Sequence, residues 1–537
     1  AALYNHEQQL VQLALQGKPY LLQGRAAWDN NLTVSTSARP MESIKLHMAR
    51  HDRVLHGFTF TNLTENAFMG QIKFVPVLDQ LHRFNRQPDH PLDGHLKIYE
   101  SLPMRERNGQ YTYDPLSPLP LGTLVRAAGK TTVPLWLEVD TRDLPAGQYT
   151  GWLYLKSSQQ DFPDQAIPFE LNVADIDLST VKVDSFNYHY MPTAMSDELV
   201  RYELNMLYAG TPGQSTLDIY PQYDAQGNIT KLHFEHLDEK ILAYQRAGIK
   251  ASDMKIIFFL AVDGKWVTRR GKKAQFEMWS PQWETAFKNF LDALIVHLDK
   301  QYGITQQQIV LYPVDEPSGD IDVDGTQSNT AYRFGKFVRS FNTNVRMMVN
   351  PNLREDEVSS RAVNKLAESF DIIEIYRGHA TPKIIGWTKK TGREIWTYHI
   401  LQRTNTPATY RRLAWQNLSD GIPGVIAYWH FDQMAGGDGF NPNDTFPNKT
   451  NTADYGTVYV DFNHKTLITS RRQEAWYRGF LDYKLATYCQ QLIAQGKGGE
   501  AEKKELAHII AQGVSGEMPV MDQMRESLLR LAIRLSQ

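Results

Sequence analysis

The sequence predicts a multidomain chain with an N-terminal antiparallel β-sandwich, a central (β/α)8 TIM barrel and a C-terminal helical segment. Three observations predict it. The 537 residues exceed what one ordinary core accommodates. Near residue 180, period-two apolar runs give way to strand-like runs that alternate with helix-length amphipathic stretches. From about residue 466 only helical spacing is left. The predicted domains are therefore 1–180, 181–465 and 466–537.

In the first region a short helix is expected at Asn5–Gln16. Alternation follows in Thr33–Ser37 and Gly57–Thr61, and strands are expected at Ile72–Val77, Val133–Val139, Gly147–Leu155 and Phe169–Val173. Gly, Pro and Asn separate these runs, as hairpin turns require. In the middle region strands are expected at Val183–Tyr190, Ile229–Phe234, Lys255–Val262, Ile309–Val314, Val345–Asn350, Ile372–Tyr376, Glu394–His399 and Gly424–His430. Helices are expected between them at Glu198–Leu207, Asp238–Ala247, Trp283–Tyr302, Thr330–Phe341, Ser359–Ser369 and Ala408–Leu418. A doubly wound sheet would alternate in the same way, but no Gly-rich phosphate loop follows any strand. The last region reads as three helices, Arg471–Ile493, 500–512 and 518–536, broken at Gly496-Lys497-Gly498-Gly499 and expected to pack on the barrel.

Composition narrows the function. Lys and Arg total 57 against 60 Asp and Glu, which gives no electrostatic case for nucleic acid or an anionic membrane as partner. No apolar run approaches the roughly 20 residues that span a bilayer. Cys489 is the single cysteine, so an intrachain disulfide and a multi-Cys metal site are excluded, and its helical surroundings give it a packing role. No cofactor or metal is expected. Asp322-Val323-Asp324-Gly325 lacks the glutamate and spacing of an EF-hand loop, and neither His-Glu-x-x-His nor Gly-x-Ser-x-Gly occurs. Ala1-Ala2-Leu3 has the small residues that flank signal-peptide cleavage, so a secreted or periplasmic location is expected. The sequence carries no signal for oligomeric state.

The stretch with the clearest chemistry is Ile309-Val310-Leu311-Tyr312-Pro313-Val314-Asp315-Glu316-Pro317. An apolar strand ends in two adjacent carboxylates and a proline, which cannot donate to a sheet ladder. In an α/β barrel that end of a strand is where chemistry happens, and two acids there suit acid/base work on a glycosidic bond. Three other Asp-Glu pairs, Asp197-Glu198, Asp238-Glu239 and Asp356-Glu357, lie in helix-like contexts, where a pair near a helix start complements the macrodipole. For Asp315-Glu316 the competing structural reading is an ion pair at a strand end.

The other strand ends supply His189 and Tyr190, Asp263, Asn350, Tyr376 and Arg377, Tyr398 and His399, then Trp429, His430 and Asp432. Sugar pockets need this mixture of acids, amides and flat aromatic faces. Tyr190, Asn350, Tyr376, Tyr398, His399, Trp429 and Asp432 are the candidate substrate-binding residues, with an oligosaccharide or polysaccharide as partner. Taken singly, Trp429 is more often core than sugar platform. Trp266 and the Gly436–Pro442 loop suit a lid or subsite wall, or a solvated turn.

The chain resembles glycoside hydrolase family 123 and its related group. The resemblance rests on the Leu144–Gly151 turn, Asp315-Glu316-Pro317, and Trp415, Gly421, Gly424 and Trp429. It also rests on Arg471-Arg472-Gln473-Glu474-Ala475-Trp476 with Gly479 and Asp482-Tyr483. It implies a β-N-acetylgalactosaminidase that retains anomeric configuration by substrate-assisted catalysis. It further implies Glu316 as general acid and then base, with a raised pKa from burial beside Asp315. Asp315 would hold the N–H of the 2-acetamido group and stabilise the oxazolinium. Tyr376 or Tyr398 would bind the acetamide carbonyl and Trp429 would floor the pocket. The segment Tyr202–Gly213 has no counterpart in the family pattern. Two other readings compete: a glycosidase for sugars without an acetamide, using Glu316 and a second carboxylate such as Asp263 or Asp432, and a non-catalytic glycan-binding protein. Glu394 stands at the wrong end of its strand to be that second carboxylate.

Overall fold

The structure, a computed structural model, describes the chain except residues 1–16, 25–27, 29–39, 76–89, 106–110, 121–122, 190–194, 210–220, 261–274, 352, 359, 424–425, 432–437 and 441–454. Of Ser196 and residues 426–430 it describes the backbone alone. The expected helix at Asn5–Gln16 and the alternation at Thr33–Ser37 lie outside the described residues. The chain divides into two compact units, residues 1–182, 404–419 and 468–537 in one and 183–403 and 420–467 in the other.

The first unit opens with strands β1 (Tyr20–Gly24), β2 (Ile44–Arg50), β3 (Arg53–Asn62), β4 (Phe68–Val75), β5 (Leu96–Arg105), β6 (Tyr111–Leu119), β7 (Leu124–Ala127), β8 (Thr132–Asp140), β9 (Gly147–Ser157) and β10 (Gln165–Asp177). They form two sheets, one running β1-β3-β8-β5-β6 and the other β2-β10-β9-β4-β7. All neighbours are antiparallel except β2 and β10. Alternate residues of β10, Ile167, Phe169, Leu171 and Val173, are buried. Phe58, Phe60, Leu135 and Leu137 from the first sheet join Ile44, Met48, Leu153 and Leu171 from the second in one apolar cluster. Burying each large side chain contributes about 1.5–3 kcal/mol. Gly151, in the turn that carries the family resemblance, is fixed by packing: a Cβ there would stand 2.3 Å from the Phe74 ring.

The second unit is built on eight strands: β11 (Ser185–Tyr188), β12 (Met206–Ala209), β15 (Lys255–Phe259), β16 (Ile309–Tyr312), β17 (Arg346–Val349), β18 (Ile372–Tyr376), β19 (Glu394–Tyr398) and β20 (Ile426–His430). They lie in the order β11-β20-β19-β18-β17-β16-β15-β12, all parallel to their neighbours. Among the described residues seven α-helices lie between them: α1 (Ser196–Arg201), α2 (Glu235–Arg246), α3 (Pro281–Tyr302), α4 (Gln327–Arg339), α5 (Arg361–Ser369), α6 (Pro382–Lys390) and α7 (Pro407–Asp420). Ser280, Thr326, Ser360 and Thr381 cap α3 to α6 through their side-chain oxygens. Alternation sorts each strand's side chains. Phe186, Tyr188, Tyr208, Ile257, Tyr312, Met348, Ile372, Trp396 and Tyr398 share one cluster, while Ile373, Ile375 and Ile395 join helix residues in another.

One predicted strand is corrected. Ile229–Phe234 does not join the eight: its residues Ile229–Lys231 form β14, which pairs with β13 (Gln222–Tyr223) in a separate hairpin. The second strand in chain order is β12, whose Met206 and Leu207 fall at the end of the predicted helix Glu198–Leu207; the helix itself stops at Arg201. The backbone of Glu203, at φ 53°, ends the helical run. Met206–Ala209 is four residues long and wholly buried, so it shows no period to read. Helix α6 was missed because only Ile384, Ile385 and Thr388 of its nine residues are buried.

β21 (Tyr459–Asp461) and β22 (Thr466–Ser470) follow, and Thr469 and Ser470 pair with Leu116 and Pro115 of β6. Three helices remain, α8 (Arg471–Ala494), α9 (Glu500–Ser515) and α10 (Met518–Ser536). The three closing helices group with the first unit, as does most of α7. Buried ion pairs account for this. Arg472 reaches Asp114 at 2.8 Å and Glu474 reaches Arg53 at 3.0 Å. Asp482 accepts from Arg411 at 2.7 Å, Arg525 at 2.7 Å and Trp415 at 3.0 Å. Among the described residues no helix is long and apolar enough to cross a membrane.

Candidate active site

Pro313 ends β16 at Tyr312, two residues earlier than the sequence suggested, because its nitrogen cannot donate to the ladder. The chain then bends through Val314, Asp315 and Glu316. Glu316 sits at φ 40°, in the left-handed region that a non-glycine residue enters at a cost of about 1–3 kcal/mol. Asn350, buried just past β17, compensates: its Oδ1 accepts from the Glu316 backbone N–H at 2.9 Å, and its Nδ2 donates to Asp315 Oδ1 at 3.1 Å. One amide therefore fixes both members of the acid pair.

Each acid also has a phenol. Tyr312 donates to Asp315 Oδ1 at 2.6 Å, and Tyr398, at the exit of β19, donates to Glu316 Oε1 at 2.5 Å. Burial, and then neighbouring acids, push both phenols well above their ordinary pKa, so they stay protonated donors. Asp315 is solvent-exposed and Glu316 is half-buried, so the full burial expected of Glu316 is only partial. Tyr376 lies beside this group, its ring 5.4 Å from Tyr398 and 5.2 Å from His399. Burial and the charge of Glu316 raise the Tyr376 pKa. Burial lowers that of His399 to about 4, so its imidazole is neutral near pH 7.

Asp315, Glu316, Asn350, Tyr376, Tyr398 and His399 thus come together at the exits of four neighbouring strands. Tyr190, Asp432 and Asp263 lie outside the described residues, as does Trp266. The backbone of Trp429 is on β20, and its side chain is outside the described part. His189 is buried and bonded within the protein, to the Asn187 carbonyl at 3.0 Å and near the Tyr244 hydroxyl at 3.3 Å. Arg377 pairs with Asp420. Asp322, of the calcium-like stretch, pairs with Arg361 and Lys365. Among the described residues no group of three or more His, Cys, Asp or Glu is arranged to hold a metal ion.

One residue bonded to the acid pair escaped the sequence reading: Tyr312, which stands in an apolar run. Glu374, inside the apolar run Ile372-Ile373-Glu374-Ile375, was not singled out either. An acid within a buried strand was the available signal, since such a residue is seldom fully buried without a partner.

No protein-family model matches the chain, and no curated protein matches it in sequence. A solved structure of a family 123 glycoside hydrolase from Clostridium perfringens, described for glycolipid glycan hydrolysis, superposes with a TM-score of 0.69 at 11% identity, covering 96% of this chain and 100% of that one. This chain shares the fold of that family 123 hydrolase. A Bacteroides ovatus family 5 xyloglucanase in complex with a heptasaccharide reaches a TM-score of 0.34 at 9% identity over 82% of this chain and 98% of its own. A family 30 xylanase from Clostridium acetobutylicum reaches 0.32 at 12% identity over 55% and 70%. At those scores neither carries weight for fold or function. Within the family 123 fold, the Asp315-Glu316 bend falls where the fourth of the eight strands in chain order ends.

Proposed function

We propose that the chain is a glycoside hydrolase that cleaves β-linked N-acetylhexosamine, N-acetylgalactosamine foremost, from a glycan by retaining, substrate-assisted catalysis. The observation that carries this reading is the adjacency of Asp315 and Glu316, locked by one asparagine and served by separate tyrosines. Two carboxylates on neighbouring residues cannot stand on opposite sides of a sugar ring, as paired-carboxylate mechanisms require. A substrate that brings its own nucleophile removes that requirement.

The steps follow. Glu316 gives its proton to the glycosidic oxygen as the acetamide oxygen attacks the anomeric carbon and the leaving alcohol departs. Asp315 accepts the acetamide N–H and faces the positive charge of the resulting oxazolinium. Glu316, now a carboxylate, takes a proton from water, whose oxygen attacks the anomeric carbon and reopens the ring. Two inversions retain configuration, and one water is consumed. Tyr398 holds Glu316 Oε1, leaving the other oxygen for the proton. Tyr376, Tyr190, His399, Trp429 and Asp432 are proposed to line the sugar pocket.

We read the parallel sheet as a closed (β/α)8 barrel over 181–465, and the two N-terminal sheets as a sandwich over 1–180 with the helices of 466–537 as its companions. Closure is supported by the terminal strands of the sheet order. The Ser185 N–H of β11 donates to Asn205 Oδ1, next to β12, at 3.0 Å and its hydroxyl donates to the Glu203 carbonyl at 2.7 Å, and Tyr188 and Tyr208 have ring centroids 4.9 Å apart. The rival mechanism with a seventh-strand carboxylate finds no support in Glu394, which is engaged by Arg346 at the strand start.

A thiazoline analogue of N-acetylgalactosamine mimics the bound oxazoline and separates the mechanisms. Competitive inhibition of hydrolysis is expected. Hydrolysis that the thiazoline leaves untouched, together with trapping by a 2-fluoro glycoside, would assign the nucleophile to the protein.

A further inference from the structure

Glu374 lies in the middle of β18, on the face it shares with Ile372 and Tyr376, one layer deeper in the sheet than Tyr376. In register it stands opposite Trp396, with Tyr376 opposite Tyr398. It is 1% exposed, and its Oε1 has no hydrogen-bond partner among the described residues. An ionised carboxylate in such surroundings costs several kcal/mol. Among the described residues the charges that act on it are those of Asp315 and Glu316. Tyr312 and Tyr398 sense its charge in turn, as neutral phenols. Arg346, at the start of β17, is engaged by Glu394.

We propose that Glu374 is a third carboxyl, kept neutral in the layer beneath the Asp315–Glu316 pair, and that it acts as a positioning residue. Burial, then the two acids, lift its pKa to about 8. Near neutral pH it is therefore a carboxylic acid, so the layer below the pair holds no anion of its own. Above about pH 8 a charge on Glu374 would stand in a dry interior beside Asp315 and Glu316, which a neutral side chain at this position never imposes. The catalytic part of this inference rests on the function proposed above. The protonation of Glu374 does not.

The test is Glu374→Gln, a neutral group of the same shape. Its kcat/KM is expected to match the unsubstituted protein at pH 5–6, with the two pH profiles separating only above about pH 8, where the wild-type acid ionises and the amide does not. Stability supplies a second reading that needs no substrate. The unfolded chain ionises this acid near its ordinary value, 4.5, while the folded chain holds the proton to about 8, so the wild-type melting temperature falls across that window relative to the variant. Profiles that coincide above pH 8 as well, or a folded variant inactive at every pH, overturn the positioning role. A difference in melting temperature that is constant from pH 5 to 8 overturns the neutral acid. If the variant does not fold, infrared spectra of ¹³C-glutamate-labelled Glu316→Gln protein decide: a protonated glutamate carbonyl at pH 7 is expected, and its absence overturns the proposal. If no glycan is hydrolysed at all, the proposed function fails while the melting and infrared results still decide the state of Glu374.

Discussion

Glu316→Gln lowers kcat/KM by about a thousandfold or more, while a bound sugar or inhibitor keeps its affinity. The amide cannot donate an acidic proton to the leaving oxygen, and general acid–base catalysis is worth about 10²–10⁴-fold. It fits the same space, and Tyr398 and the Asn350 clamp on the backbone both persist. The loss should shrink for aryl glycosides with acidic leaving groups, which need less protonation on departure. Rate measurements over a series of phenols read this directly. A uniform loss across the series, with unchanged melting, would mean that Glu316 binds or positions and does not protonate.

The second large effect lies far from that chemistry. Asp482→Asn costs about 3 kcal/mol or more of stability, because it strips a fully buried anion from Arg411 and Arg525. Asp522 still engages Arg411, and Asp52 still engages Arg525, which places the loss at the lower end of the range for a broken buried pair. Burial opposes the charge of Asp482, but the arginines outweigh it and hold its pKa below the ordinary 3.8. A depressed pKa stabilises the fold above the unfolded value and loses that stabilisation as pH falls through the folded value. Chemical denaturation at pH 7 measures the cost, and the gap between wild type and variant should narrow on acidification. A change below about 1 kcal/mol at pH 7 would show that the arginines are satisfied without Asp482.

These two residues explain what the sequence displayed and what it hid. The motif around Arg471–Tyr483 was legible as a resemblance, yet its meaning is structural. Arg472 meets Asp114, Glu474 meets Arg53, and Gly479 leaves room for the Arg411 backbone, where a Cβ would stand 2.5 Å from the carbonyl oxygen. Each partner is distant in sequence, so neither spacing nor period could point to it. Seven of the eight strands of that sheet were legible because buried parallel strands are continuous apolar runs of β-branched and aromatic residues. The exception, β12, is short and follows a charged amphipathic stretch that reads as helix.

The acid pair was visible because a proline and two carboxylates after an apolar run are a local pattern. Its supports were only half visible. Asn350, Tyr376 and Tyr398 stood out as polar groups at strand ends, whereas Tyr312 resembled core, and Glu374 reads as an interior group only once the alternation of β18 is tied to a fixed face. The strain at Glu316 has no sequence signal: a glutamate with a positive φ is held by Asn350, 34 residues away.

The most direct test of the account is the initial rate of hydrolysis on paired aryl β-glycosides that differ only at C2, N-acetylgalactosamine against galactose and N-acetylglucosamine against glucose. Turnover of the acetamido sugars with none of their hydroxyl counterparts is the predicted result. Turnover of galactoside or glucoside alone would contradict it, since the nucleophile could then not come from the substrate.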